Sequence, residues 1–311
     1  MDIRQLEMFR AVAEEGSFTR AAVRLHVSQS AVTRQLQLLE QDLGTLLLHR
    51  TGRGATLTAE GEILLTTARR VERDMQDAVS LIADTKSLQR GSLTLAGGMT
   101  VCLYILPRLL RKFRSRYKGM DLRVISAGTE TILRMIRQHE VGMALLTLPI
   151  VESDLEVRPA LKEEMVVVTA SKHPLGRERS IDPRTLGRFP LVLYESGSNT
   201  RRVIDELFRE HEVPMNVVME TENVEIIKAM VASGLGISII PYAAITGDLR
   251  GGRFAWTRLR SGRLYRESGW VYLKSEHHPR AIEEMLRVFD EMKEQFMGRP
   301  VVSRKRIDSI R

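Results

Sequence analysis

The sequence contains a single cysteine, Cys102, in 311 residues. One cysteine excludes an intrachain disulfide framework and a zinc site built from several thiolates. Long apolar runs are also missing, since a stretch such as Gly234–Ile240 is far shorter than the roughly 20 residues that a membrane-spanning helix needs. The N-terminal residues Met1–Gln5 lack the apolar core of a secretory signal. We therefore expect a cytoplasmic protein with no membrane partner.

An excess of positive charge is absent from the first part of the chain, although the whole protein carries a net charge of +8. Residues 1–60 contain seven basic and seven acidic residues, and residues 61–90 contain five of each. The excess lies in residues 91–297, with 30 basic and 26 acidic residues, and in residues 298–311, with five and one. Net charge therefore does not locate a nucleic-acid-binding region, and the local residue pattern must do so.

The first 60 residues combine helical spacing of apolar residues with regular helix stops. Serines stand where two helices would begin, and Gly16 and Gly44 stand where two would end. The predicted elements are helices over 2–13, 19–25 and 29–43 and short strands over 46–50 and 55–57. Helix, helix, turn, helix and hairpin is the plan of a winged helix-turn-helix.

A long amphipathic pattern follows, from about Thr58 to about Arg90. Its apolar and small residues repeat at alternating steps of four and three, as in a coiled coil. The seam comprises Leu64, Ala68, Val71, Met75, Ala78, Ile82 and Thr85. A helix of this length spans roughly 50 Å, more than one small domain easily covers. We therefore predict that the seam pairs with a second chain; the alternative is an amphipathic helix packed on its own domain.

From Gly91 onward, strand and helix patterns alternate, which predicts an α/β region with largely parallel sheets. The region is long enough for two lobes. Predicted strands cover 92–96, 122–126, 143–148, 165–169, 191–194, 217–219 and 237–240, and predicted helices cover 99–117, 129–139, 200–211, 223–233 and 279–297. Two basic runs, Arg108–Arg123 and Arg250–Arg266, are interpreted as solvated faces.

The segment Ser17–Leu36 resembles the helix-turn-helix of the LysR-type transcriptional regulators, and Leu57-Thr58-Ala59-Glu60-Gly61 continues the resemblance into the long helix. A looser resemblance, for example over Met230–Pro241, extends to about Met297. It implies a homo-oligomeric regulator that responds to an inducer and is commonly a tetramer. It also implies an effector domain with two lobes, similar to periplasmic binding proteins.

The predicted fold is thus a two-lobed, periplasmic-binding-protein-like α/β effector domain, preceded by an all-α winged helix-turn-helix domain and a long linker helix. The predicted division is 1–58 for DNA binding, 59–90 for the linker and dimerisation helix, 91–297 for the effector domain and 298–311 for a basic tail. Within the effector domain, lobe I is expected over about 91–161 and 267–297, and lobe II over about 162–266.

A recognition helix needs short polar or amide side chains at its N-terminal turn in order to enter the major groove. Glutamine can pair with adenine and arginine with guanine, while wing arginines can reach phosphates or a narrow minor groove. The predicted DNA contacts are Ser28, Gln29, Ser30, Thr33, Arg34, Arg50 and Arg53. For Arg34, a phosphate contact or an ion pair with Glu40 is the alternative.

Small hydroxyl residues follow the ends of several predicted strands. In parallel α/β sheets ligands bind at these strand ends, and helix N-termini favour anions. Each threonine alone is more simply a helix cap, but the set together predicts a site for a small, anionic effector. The predicted effector contacts are Thr100, Thr129, Thr147, Ser198, Thr200 and Arg201.

The sequence shows no carboxylate pair, metal cluster or nucleophile arrangement, so no enzyme activity, metal or cofactor is predicted. The predicted function is sequence-specific binding of double-stranded DNA, switched by an effector bound between two lobes. We expect a homodimer that assembles into a homotetramer, with RNA polymerase as a further candidate partner. The alternatives are a small-molecule receptor whose helical N-terminus serves only assembly, and an α/β enzyme.

Overall fold

The computed structural model describes residues 1–51, 54–83 and 91–296. The chain divides into two compact units, Met1–Ser87 and Leu88–Arg311. Each unit has a hydrophobic core of its own. Within the described ranges, no helix is both long and apolar enough to cross a membrane.

The first unit has the predicted order of helices and hairpin. Its elements are α1 (Ile3–Glu15), α2 (Phe18–Arg24), α3 (Gln29–Leu43), β1 (Leu48–Thr51), β2 (Gly54–Leu57) and α4 (Ala59–Ala83). The predicted boundaries are confirmed: Ser17 and Ser28 cap α2 and α3, while Gly16 and Gly44 end α1 and α3 in the left-handed conformation. The core of this unit includes Phe9, which is fully buried.

The join between the hairpin and α4 explains the motif Leu57–Gly61. The Thr58 hydroxyl donates to the Leu46 carbonyl at 2.8 Å and accepts from the Gly61 amide at 3.0 Å. A Cβ atom at Gly61 would lie 2.1 Å from the Leu47 carbonyl oxygen, which is too close for any other residue. The motif therefore fixes the wing against the start of α4.

The second unit contains strands and helices in alternation. Its strands are β3 (Gly91–Gly97), β4 (Met120–Ser126), β5 (Met143–Thr147), β6 (Leu155–Ala170), β7 (Ser180–Ile181), β8 (Leu191–Leu193), β9 (Val217–Glu220), β10 (Ser238–Pro241), β11 (Phe254–Leu259) and β12 (Leu264–Leu273). Its helices are α5 (Met99–Tyr104), α6 (Leu106–Arg116), α7 (Thr129–Arg137), α8 (Pro183–Leu186), α9 (Asn199–Glu210), α10 (Val224–Ala232) and α11 (Arg280–Phe296).

The sheets are mixed, so the prediction of largely parallel sheets was wrong in part. Strand β3 pairs in parallel with β4 and β5, and β8 pairs in parallel with β9. The long strand β6, however, pairs antiparallel with β10, β11 and β12. The sequence pattern hides this arrangement because the partners of β6 follow it by roughly 70 to 120 residues.

The two largest of the three hydrophobic cores among the described residues of the second unit pack against the antiparallel pair β6–β12. One core uses residues from 93–161 together with residues from 270–292, such as Trp270 and Phe289. The other uses residues from 165–259, such as Phe208 and Ile239. We call the parts around these cores the first and the second lobe. Strands β6 and β12 run from one lobe into the other, so the second unit has two lobes joined by paired strands.

Three parts of the second unit differ from the sequence prediction. Strand β6 begins at Leu155, ten residues before the predicted strand, and β11 and β12 replace much of the basic run interpreted as a solvated face. The helix predicted after Met99 is broken at Ile105 into α5 and α6. Pro107 explains the break, since it lacks the amide hydrogen that would bond to the carbonyl one turn earlier.

Candidate DNA-contact surface and effector cavity

The start of α3 presents polar side chains to solvent. Ser28 accepts a hydrogen bond from the Ala31 amide at 3.2 Å, as an N-cap does. Gln29, Ser30 and Arg34 are exposed, and Thr33 is half-buried. These four positions lie on the first two turns of one helix, so their side chains are available to a groove placed against it.

Two contacts bear on how these side chains are held. The amide oxygen of Gln29 accepts a hydrogen bond from the Thr19 hydroxyl at 3.2 Å, which orients the amide. Glu40, the alternative partner of Arg34, instead accepts from the Leu47 and Leu48 amides at 2.9 and 3.3 Å. Arg34 has no ion-pair partner in the described part of the chain. The structure therefore leaves the Arg34 guanidinium available.

The remaining two predicted DNA contacts are the wing arginines, Arg50 and Arg53. Arg50 lies on β1 opposite Ala55 of β2, which places it on the wing, and its side chain is outside the description. Arg53 lies outside the described residues altogether.

The seam on α4 is divided between the unit's own core and solvent. Leu64 packs against the core of the first unit and Ala68 is buried, so these two positions partly follow the alternative of packing on the same domain. Ion pairs join this side of α4 to α1: Arg10 to Glu72 at 2.7 Å, and Arg69 to Glu14 at 3.7 Å.

Further along the seam, the described side chains are less buried than Ala68. Val71 is half-buried, and 44% of Met75 is exposed. Ala78 and Ile82 lie on α4, but their side chains are not described, and Thr85 lies outside the described residues.

A cavity of roughly 150 Å³ lies between the two lobes of the second unit. Its walls are the ends of β3, β4 and β5 with the starts of α5 and α7 from the first lobe, and the start of α9 from the second. Of the predicted effector contacts, five line the cavity: Thr100, Thr129, Thr147, Ser198 and Thr200. Strands β3, β4 and β5 are parallel, so their carboxyl ends meet at one edge, as the prediction required.

Hydroxyl groups and an amide join the lobes at the cavity. The Thr147 and Thr200 hydroxyl oxygens are 3.4 Å apart, within hydrogen-bond distance. The Asn199 side chain donates to the Thr147 and Pro149 carbonyl oxygens at 2.7 and 3.2 Å. Burial raises the pKa of Tyr194, so the phenol stays protonated, and its buried hydroxyl has no hydrogen-bond partner within the described residues.

Arg201 does not line the cavity, contrary to the expectation from sequence. Its Nε donates to Asp205 at 2.7 Å, and its Nη1 donates to the Tyr194 carbonyl at 2.8 Å and to Glu220 at 2.5 Å. The guanidinium is thus occupied by three partners of the second lobe. The sequence placed it correctly in the first turn of α9 but could not show that Asp205 and Glu220 hold it away from the cavity.

Arg266 of β12 lines the cavity in its place. It is 2% exposed. Its Nε donates to Glu163 at 2.9 Å, and its Nη1 donates to the Thr200 hydroxyl at 3.1 Å. Burial lowers the pKa of the guanidinium, but the charge of Glu163, the electrostatic interaction with Tyr194 and the hydrogen bond to Glu163 together outweigh burial, so the net shift is upward. Arg266 therefore remains a cation inside the cavity wall.

Sequence reasoning missed Arg266 because it stands in the run interpreted as a solvated face. A signal was present: Arg266 lies two residues after Leu264 and four before Trp270, at the spacing of residues that share one face of a strand. Tyr194 and Glu222 also line the cavity without having been predicted. Their assignment needs tertiary contacts, since neither follows a recognisable motif.

A second contact between the lobes lies at the other end of α5. The Tyr104 hydroxyl accepts from the Lys228 ammonium at 2.8 Å and donates to the Glu225 carboxylate. Lys228 also pairs with Asp248 at 2.7 Å. Burial and the bond to Glu225 raise the pKa of Tyr104 to about 12. Helix α5 therefore carries the cavity residue Thr100 at its start and an inter-lobe contact at its end.

Two family models match the chain. Residues 3–62 match the model described as "Bacterial regulatory helix-turn-helix protein, lysR family", and residues 86–293 match the "LysR substrate binding domain". The second match alone covers more than half of the chain.

Individual proteins are similar over nearly the whole length. The HTH-type transcriptional activator CmpR of Synechocystis sp. is 32% identical over 274 residues, which cover 88% of this chain and 90% of that protein. A full-length OxyR variant of Pseudomonas aeruginosa has a TM-score of 0.76 at 27% identity, covering 93% and 94% of the two chains. Full-length CbnR in complex with its target DNA has a TM-score of 0.69 at 25% identity, covering 94% and 99%.

Proposed function

The chain belongs to the LysR family of transcriptional regulators, and from that premise we propose how its residues divide the work. Residues 1–58 bind double-stranded DNA, residues 59–90 pair two chains, and residues 91–297 bind a small-molecule effector between their lobes. The observation that carries the proposal is the cavity, where five hydroxyl residues predicted from sequence meet between two lobes.

For DNA recognition, we propose that the start of α3 enters the major groove. Gln29, Thr33 and Arg34 contact base edges, while Ser28 and Ser30 contact phosphates or the groove edge. Arg50 and Arg53 of the wing contact the DNA backbone or minor groove. Exposure of Gln29, Ser30 and Arg34 supports this assignment.

For the effector, we propose a small anion. Helices α7 and α9 begin at the cavity, and their N-terminal amides and dipoles favour negative charge. Hydroxyl groups from both lobes supply orienting hydrogen bonds. Arg201 has a structural role in this proposal, because its donors are engaged within the second lobe.

For assembly, we propose a homodimer formed through the outer part of the α4 seam, which assembles further into a tetramer. The exposure of Met75 supports pairing there, while Leu64 and Ala68 contribute mainly to the chain's own fold. Ala78 and Ile82 complete the proposed dimer contact. We expect action in the cytoplasm, no catalytic activity, and RNA polymerase as a further partner at promoters.

Selection of binding sites from a random duplex library tests the DNA-binding proposal. The enriched sequence is then titrated at several salt concentrations, since phosphate contacts give a steep salt dependence. We expect one enriched motif bound at least a thousandfold more tightly than random DNA. Absence of any enriched motif would favour the alternative of a receptor whose N-terminus only assembles the protein.

The effector proposal is tested on the same motif. A metabolite that raises the melting temperature of the protein should also change its affinity for the selected DNA. A metabolite that stabilises the protein and leaves DNA affinity unchanged at saturation contradicts the switching role.

Light scattering tests the proposed assembly. Met75→Asp places a charge in the seam and should dissociate the oligomer, because burying an unpaired charge is costly. Glu62→Asp, at an exposed position of the same helix, is the control and should leave the mass unchanged. Unchanged mass for Met75→Asp would place the interface elsewhere.

A further inference from the structure

Two donor groups in the cavity wall, the Arg266 guanidinium and the Tyr194 hydroxyl, have a buried atom that lacks a hydrogen-bond partner within the described residues, and the Arg266 group is the charged one. Of the three nitrogens of Arg266, Nε and Nη1 donate to Glu163 and Thr200, whereas Nη2 is buried and has no hydrogen-bond partner in the part of the chain that the structure describes. A buried charged donor without an acceptor is unfavourable, so each such group in a native protein calls for an explanation, such as a bound water, ion or ligand. Because Arg266 lines the cavity, the missing acceptor is expected from a bound molecule.

The surroundings of Arg266 suit an oxyanion. The carboxylate of Glu163 occupies one side of the guanidinium, and Ser268 also lies within 3.4 Å of that carboxylate. The first turns of α7 and α9 line the cavity, and no side chain caps the N-terminus of α7. Their positive ends offset part of the repulsion between Glu163 and a second anion.

The solvent-exposed side of the cavity carries a hydrogen-bond acceptor, the Glu222 carboxylate, whereas the buried side carries the Arg266 donor. Glu222 lines the cavity from the second lobe and is exposed, whereas Arg266 is almost fully buried. A Cβ atom at Gly128 of the first lobe would lie 3.0 Å from Glu222 Oε1, so the carboxylate reaches across the cleft. An acceptor at the mouth and a donor at the floor define a direction for the bound molecule.

We propose that Arg266 is the anion-binding group of this cavity and that its ligand is a small carboxylate or phosphate ester with a hydroxyl or amine that donates to Glu222. The oxyanion lies at the floor against Nη2, and the donor faces the mouth. The Thr200 hydroxyl accepts from Arg266 and so directs its own hydrogen towards Thr147 or the ligand. This inference rests on the proposed function, because it takes the cavity as the effector site.

Matched probes test the class of ligand. The full-length protein is titrated by calorimetry with lactate and its neutral counterpart lactamide, with glycerol 3-phosphate and glycerol, and with propanoate, which lacks the hydroxyl of lactate. We expect binding of the charged member of at least one pair and none of the neutral members. The stronger charged probe then shows whether the ligand is a carboxylate or a phosphate ester. No binding by any charged probe, or equal binding by its neutral counterpart, overturns the proposal.

Variants test the residue. Arg266→Met combined with Glu163→Gln removes both charges of the buried pair, so neither is left uncompensated. The double variant should bind the probe roughly 10- to 100-fold more weakly than wild type. Glu163→Gln alone removes a competing negative charge and should tighten binding about threefold or more. If the Arg266–Glu163 pair had only a structural role, probe binding would weaken in both variants. Loss of probe binding in Glu163→Gln therefore contradicts the assignment.

Arg258→Met is the control, because Arg258 forms a less buried ion pair with the neighbouring residue Glu164 but does not line the cavity. Probe binding should be unchanged in it. Glu222→Gln should reduce the preference for lactate over propanoate at least about threefold; an unchanged preference overturns the proposed orientation.

The same probes separate this inference from the proposed function. A probe that binds through Arg266 without altering DNA affinity leaves the anion site standing and contradicts the switch. A neutral metabolite that alters DNA affinity through Thr100, and binds equally well to the Arg266 variant, supports the switch and contradicts the anion site.

Discussion

The proposed DNA-contact surface and the proposed effector cavity are built in opposite ways. The α3 part of the surface is one short stretch, Ser28–Arg34, on a single capped helix, and most of its side chains are exposed. The cavity takes residues from seven separate segments between positions 98 and 266, and several of them are buried. A change on the surface should therefore alter binding alone, whereas a change in the cavity alters binding and stability together.

The largest effect is expected from breaking the buried ion pair between Arg266 and Glu163 in the cavity wall. Arg266→Met alone leaves the Glu163 carboxylate buried without its partner, which should lower the free energy of unfolding by about 3–5 kcal/mol. Trp256 and Trp270 both lie in the second unit, and they are the two tryptophans of the sequence, so denaturation followed by tryptophan fluorescence reports this unit alone.

The control for this prediction is Arg258→Met. Its ion pair with Glu164 is only partly buried, so the loss should be about 1 kcal/mol or less. Equal losses in the two variants would mean that the cavity pair contributes no more to stability than a partly exposed one.

On the DNA-contact surface, Gln29→Ala should lower affinity for the selected DNA by about 1–3 kcal/mol, because one pair of base contacts is lost. The free energy of unfolding should stay within about 0.5 kcal/mol of the wild-type value, since the Gln29 side chain is exposed. Titration against DNAs changed at single positions locates the base that Gln29 reads.

The matched variant is Gln37→Ala, an exposed glutamine further along α3. It should leave affinity unchanged. If Gln29→Ala behaves like Gln37→Ala, base reading by the start of α3 is refuted.

A smaller effect is expected in the cavity from Thr100→Val, which keeps the shape and removes one hydroxyl. Effector binding should weaken by about 0.5–1.5 kcal/mol, with DNA affinity in the absence of effector unchanged. Calorimetric titration measures the first quantity and fluorescence anisotropy the second. Thr246→Val, at an exposed position of the second lobe, is the control; loss of DNA affinity in Thr100→Val would show that the residue is structural.

The smallest effect concerns the contact between the lobes at Tyr104. Tyr104→Phe removes the hydrogen bonds to Lys228 and Glu225, so it should shift the balance of lobe arrangements by about 1 kcal/mol or less. The change should appear in effector affinity, although Tyr104 does not line the cavity.

Tyr117→Phe provides the comparison, because the Tyr117 hydroxyl bonds to Glu284 within the first lobe at 2.6 Å. It should leave effector affinity unchanged. Identical affinities in the two variants would remove Tyr104 from any role in lobe closure.

The same contrast explains how far the sequence could be interpreted. Helix α3 is recognisable because its cap, apolar face and stop all lie between Ser28 and Gly44. Strand β6 was predicted only in its second half, since its first half contains Pro159 and several charged residues and is defined by pairing with β12. Arg201 and Arg266 were misjudged for the same reason: whether an arginine faces a cavity depends on acidic partners elsewhere in the chain.

The crossing strands β6 and β12 have a consequence for biosynthesis. The core of the first lobe needs Trp270 and Phe289, which the ribosome adds after the whole second lobe has been made. A nascent chain that ends before residue 264 lacks β12 and α11, so the core residues of β3 and β5 lack part of their packing partners while translation continues. The lobe that is begun first is therefore completed last.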